Sequence, residues 1–90
     1  KNIDSKILLQ KSFELIRNRG YHVVNADSTL CLAAPKIKPW VSQMQEVIAH
    51  ILQVHIEDVS VKATTTEKMG FAGREEGLMA YATVLLKKDQ

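Results

Sequence analysis

Pro35 and Pro39 are the only prolines in the chain, and nothing in the sequence limits its folding more than their spacing in Ala34-Pro35-Lys36-Ile37-Lys38-Pro39. Proline has a fixed φ and no backbone N–H, so this stretch can continue neither a strand ladder nor a helix interior. It divides the chain into two parts that must each begin and end their own elements. Before it, Leu9, Phe13 and Ile16 recur at helical spacing with Leu8 and Leu15 beside them, which predicts one apolar helix face. Asp4 or Ser5 can cap that helix near Lys6, and Arg17, Arg19 and Gly20 form a natural C-terminus.

From Tyr21 to Ala33 the texture changes to β-branched and alternating residues. Val24, Ala26, Leu30 and Leu32 are expected on one strand face, with Asn25, Asp27, Thr29 and Cys31 on the other. After the prolines, Val41, Met44, Ile48 and Ile51 mark a second helix, widened by Val47 and Leu52, with Trp40 at its start as a helix-entry staple rather than a stacking platform. A link through His55 to Asp58 leads to a short strand, Val59 to Ala63. A glycine-punctuated loop with Gly70, Gly73 and Gly77 then precedes a last strand, Leu78 to Leu86.

The expected fold is α/β (α+β), a mixed sheet covered by helices on one face, with the middle helix crossing between two parallel strands. Three strands and two helices leave one sheet face and one edge to be covered by more chain or by other subunits. The last strand, with Ala80, Ala82 and Thr83, suits close packing against copies of itself.

Ninety residues form one small domain, expected over residues 1–90. A net charge of +2, from twelve basic and ten acidic side chains scattered together, gives no reason to expect a nucleic-acid partner. No apolar stretch is long enough to cross a membrane. The single cysteine, Cys31, cannot form an internal disulfide and suits a reducing compartment.

Walker, dinucleotide and Cys-x-x-Cys patterns are absent, and His22, His50 and His55 lie on three different elements. The run Thr64-Thr65-Thr66-Glu67 at a strand end has two readings. Its hydroxyls and N–H groups can converge on phosphate oxygens while the carboxylate holds magnesium. Threonines also favour strands and Glu67 can cap a turn, which is the reading that periodicity alone favours. The glycines around Phe71 and Arg74 either permit tight turning or present Arg74 to an anion. Ala33-Ala34-Pro35-Lys36 is either an ordinary turn or a place where a ligand reaches backbone groups beside Lys36.

Taken together, three segments resemble one family. The string Val61-Lys62-Ala63-Thr64-Thr65-Thr66-Glu67-Lys68-Met69-Gly70-Phe71-Ala72-Gly73-Arg74-Glu75-Glu76-Gly77 closely resembles the signature of the 2-C-methyl-D-erythritol 2,4-cyclodiphosphate synthases. Ala34-Pro35-Lys36 at a strand end fits the same pattern, as does Asp4-Ser5 opening a helix that closes on Arg19-Gly20-Tyr21.

The resemblance implies a homotrimeric lyase of non-mevalonate isoprenoid biosynthesis, with active sites between subunits around a central cavity. Its substrate would be 4-diphosphocytidyl-methylerythritol 2-phosphate and its products the cyclic diphosphate and CMP. Zinc and a magnesium or manganese ion are the implied cofactors, and the location is cytoplasmic, or the stroma in a plastid-bearing organism.

By position, Leu32, Ala33, Ala34, Pro35, Lys36, Ile37 and Lys38 would line the cytidine pocket, largely through backbone groups. Thr64, Thr65, Thr66 and Glu67 would embrace the diphosphate, with Thr65 stabilising the transition state and Glu67 near the second metal. Phe71 and Arg74 would face the central cavity, where family members can hold an isoprenoid diphosphate. The resemblance also implies that residues 1–90 are the C-terminal part of a larger single-domain enzyme, with the zinc ligands in an N-terminal half outside them and none in this chain. The ninety residues alone are therefore expected to be inactive. A non-catalytic trimeric phosphate-ligand-binding module is the alternative expectation.

Overall fold

A computed structural model describes residues 5–32, 38–65 and 79–90. Helix α1 (Ser5–Asn18) leads through Gly20 into strand β1 (Tyr21–Leu32); helix α2 (Val41–Leu52) leads into β2 (Val59–Thr65), and β3 (Met79–Lys88) follows. Single 3-10 turns, Lys38–Trp40 and Ile56–Asp58, introduce α2 and β2. Helix α1 opens at Ser5; Asp4, the other capping candidate, lies outside the described residues, as does Leu78.

The sheet order is β2-β1-β3. Strands β1 and β2 are parallel, from Ala26 opposite Val59 to Leu32 opposite Thr65, while β3 runs antiparallel to β1. This is the mixed sheet expected from a helical crossover followed by one reversed strand. Both helices pack on one face. Phe13, Val23 and Leu52 form one buried cluster, and Ala49, Val59 and Val61 form a second. Ala26 packs against the first cluster and Leu30 against the second, which ties α1 and α2 to the same side of β1.

One face assignment is corrected. Val23, not Val24, is the buried valine of β1. The register shifts between Val23 and Asn25, so Val24 is the extra residue of a bulge. Alternation has period two, so one inserted residue reverses the faces upstream of it while Ala26 and Leu30 keep their expected side. The apolar face of α1 is also narrower than its composition. Leu9 and Ile16 are partly buried around Phe13, but Leu8 and Leu15 are 53% and 64% exposed.

The helix ends follow from backbone hydrogen bonding. Gly20 has φ +84°, a left-handed conformation in which a side chain is strained. Helix α2 ends in a Schellman arrangement: the Gln53 N–H donates to the His50 carbonyl and the Val54 N–H to that of Ala49. Gln53 takes the left-handed position there, at φ 58°. No described helix is long and apolar enough to cross a membrane.

Candidate functional site

Three of the segments expected to carry chemistry are attached to one end of the sheet. The last described pairs of β1 and β2 are Cys31 with Thr64 and Leu32 with Thr65, so the two parallel strands finish side by side at their carboxyl ends. Strand β3 enters at that same end, with Met79 opposite Cys31. The chain therefore leaves β2 at Thr65 and returns at Met79, next to the point where β1 delivers residues 33–37. Carboxyl ends of parallel strands in α/β sheets are common ligand sites because loops and free backbone groups converge there.

Leu32 closes β1, Lys38 opens the 3-10 turn before α2, and Thr65 closes β2. Thr64 is exposed, and alternation puts it on the sheet face opposite the helices, while Val59 and Val61 point into the core. Ala33, Ala34, Pro35, Lys36, Ile37, Thr66, Glu67, Phe71 and Arg74 lie outside the described residues, so their side chains have no geometry to report. Trp40 is 58% exposed at the start of α2, in a groove beside Leu9, Met44 and Ile48. It makes no side-chain cap bond, and Met44, one turn further on, lines the same groove.

Thr64 shares its face with a pair that motif reading missed. The Lys62 ammonium donates to the Asp27 carboxylate and also to the Ser60 hydroxyl, at 3.4 Å. The Lys62 hydrogen bond holds the Asp27 carboxyl below its ordinary range, against some desolvation. Both residues sit at outward positions of their strands, and Asp27 pairs in register with Ser60. Their opposite charges on adjacent strands at one phase of the alternation were the available signal.

Gln45 bridges α2 to the start of the site-bearing strand: its side-chain amide donates to the Val59 carbonyl at 2.6 Å. At the opposite end of the sheet, His22 Nδ1 lies 2.7 Å from the Asp89 carboxylate. His50 lies in α2 and His55 immediately before the 3-10 turn at Ile56, so the three histidines remain on separate elements. Among the described residues, no three His, Cys, Asp or Glu side chains gather into a group able to hold a metal ion. These residues do not fit a zinc site by themselves, and Glu67 lies outside them.

Comparison with known proteins gives the family. The profile of the YgbB family matches residues 1–87. The chain belongs to the YgbB family. Over 89 residues it is 58% identical to the 2-C-methyl-D-erythritol 2,4-cyclodiphosphate synthase of Bacteroides thetaiotaomicron, a match covering 99% of this chain and 56% of the relative. This YgbB chain thus spans little more than half the length of that curated relative.

Among solved structures, the bifunctional IspDF from Campylobacter jejuni matches 98% of the chain and 24% of its own, with 40% identity and a TM-score of 0.92. The IspF of Plasmodium falciparum in complex with CDP matches 97% of the chain and 56% of its own, with 28% identity and a TM-score of 0.88. The mixed three-strand sheet and two helices of the described residues therefore match part of the architecture of these structures.

Proposed function

We propose that this chain carries the cytidine- and diphosphate-binding part of a 2-C-methyl-D-erythritol 2,4-cyclodiphosphate synthase. The observation that carries the reading is the 58% identity, across nearly the whole chain, to a protein of that name. The joint ending of β1 and β2 supports it, because it brings the residue 32–38 segment and the threonine run to one place. A related structure in complex with CDP supports a cytidine nucleotide as the ligand class.

In this reading, residues 32–38 hold the cytidine through backbone groups, with Lys36 as the side-chain cation. Thr64, Thr65, Thr66 and Glu67 close around the diphosphate. An oxygen of the substrate's own 2-phosphate attacks the β-phosphorus, the bond from that phosphorus to the oxygen shared with CMP breaks, and CMP departs with that oxygen. Nucleophile and electrophile share one molecule, so the protein's work is to bend the substrate and meet developing charge. Thr65 stabilises that charge in the transition state. Zinc and magnesium or manganese, when bound, would neutralise phosphate oxygens. Glu67 would stand near the magnesium or manganese, and no zinc ligand is assigned to this chain.

The same reading makes the assembly a homotrimer, with Phe71 and Arg74 toward a central cavity that takes an isoprenoid diphosphate. It also implies a cytoplasmic or stromal location. The exposed β3 supports an assembly partner, since an open apolar edge strand is an association hazard unless covered.

Phosphorus NMR of the complete protein with zinc, magnesium and the diphosphocytidyl substrate tests the activity. The expected spectrum contains CMP and a cyclic diphosphate. No product from metal-loaded protein would overturn the enzyme reading and leave a non-catalytic phosphate-ligand-binding module.

A further inference from the structure

Three elements meet far from the candidate site, at the end of the sheet where β1 begins and β3 finishes. Arg17, in the last turn of α1, donates from Nη1 to the Tyr21 carbonyl at 2.8 Å and to Asp89 Oδ2 at 2.9 Å. The other carboxylate oxygen of Asp89 lies 2.7 Å from His22 Nδ1. The Asp89 backbone N–H donates to the Gly20 carbonyl, also at 2.7 Å. Asp89 follows β3 directly, and its partners span the α1–β1 turn. One carboxylate therefore fastens the end of β3 to two other elements.

We propose that Arg17, His22 and Asp89 form a proton-operated clasp that secures the C-terminal end of β3. With the imidazole protonated, Nδ1 donates to the carboxylate and brings a full positive charge to it. With the imidazole neutral, Nδ1 either donates as an uncharged group or turns a lone pair toward the carboxylate and repels it. A proton on the imidazole therefore tightens the clasp. Asp89 supplies the negative charge. The His22 hydrogen bond, with help from Arg17 and against some desolvation, holds its carboxyl below the ordinary value.

Other charges surround the cluster. Lys87 is the register partner of His22, and Lys88 that of Tyr21. Arg19 lies in the turn between α1 and β1. These cations oppose the imidazolium while Asp89 favours it, so the clasp needs the carboxylate. Strand β3 is the natural target for such a device, since all ten of its residues are exposed.

The test is hydrogen exchange of the complete protein at pH 5.5, 6.5 and 7.5, corrected for intrinsic chemistry and read at residues 85–89 against β2. Wild-type protection at the end of β3 should fall about threefold from the lowest to the highest pH, the size expected of an exposed ion pair. His22→Gln, which keeps a donor but cannot titrate, should abolish the pH dependence. Asp89→Asn should lower protection at every pH while β2 is unchanged. Protection independent of pH in the wild type, or a pH dependence that persists in His22→Gln, would overturn the proposal.

Discussion

Strands β2 and β3 are the two edges of one sheet, flanking the same central strand, yet they live in different surroundings. In β2, Val59 and Val61 are 2% and 8% exposed beneath α2, and Gln45 fastens the strand's first carbonyl. In β3, every residue is exposed on both faces, including Tyr81, Val84, Leu85 and Leu86. Apolar content therefore does not decide burial here; what decides it is whether a helix lies over the strand. The covered edge ends in the threonines of the candidate site. The uncovered edge carries an apolar surface that only further chain or another subunit can remove from water.

The strongest way to break the comparison is to empty the covered side. Phe13→Ala, at a residue 3% exposed, should cost about 3–5 kcal/mol in denaturant unfolding, since a large buried side chain leaves a cavity. A loss below about 1 kcal/mol would mean that the helix layer is not the core. Next in size, Gln45→Ala should cost about 1–2 kcal/mol by leaving the part-buried Val59 carbonyl without its donor. Gln53→Gly should instead stabilise by about 1 kcal/mol, because glycine takes the left-handed position at the end of α2 without strain.

On the uncovered side, Leu85→Ser should change the unfolding free energy of a dissociated subunit by no more than about 0.5 kcal/mol. Analytical ultracentrifugation should nevertheless show weaker self-association. Unaltered assembly would make β3 an ordinary solvent-facing strand.

The smallest expected effect is electrostatic. The Lys62 hydrogen bond lowers the Asp27 carboxyl, so its contribution to stability is present above the ordinary carboxylate range and is lost as pH falls through the lowered value. Asp27→Asn should therefore flatten the acid limb of a stability–pH curve and leave the neutral region little changed.

Element order was legible because each helix buries a stripe that repeats at helical spacing around Phe13 or Ile48, and each strand is bounded by a glycine, a proline or a polar turn. The parallel pairing of β1 and β2 followed from the helix between them. The bulge at Val24 was not legible, since alternation is readable only when no residue is skipped, and Val23 and Val24 are chemically identical. Leu8 and Leu15 look like core in sequence and are not, because α1 turns Leu9 and Phe13 into the core and leaves these two more than half exposed. The clasp at Asp89 joins residues 67 and 72 positions apart, and no local pattern encodes such a meeting.

The candidate site was legible in a different way. Thr64 to Glu67 stayed ambiguous by periodicity and became specific only through the length of the resembling string. The register then added that the chain after Leu32 and the chain after Thr65 leave the same end of the sheet.

The proposed role of Thr65 is tested most directly by single-turnover CMP release from the complete, metal-loaded protein, wild type against Thr65→Ala, with the fold of both checked by circular dichroism. The account predicts a loss of about 100-fold or more in the variant, the size expected when a preorganised transition-state contact is removed. A folded Thr65→Ala protein that releases CMP at the wild-type rate would contradict it.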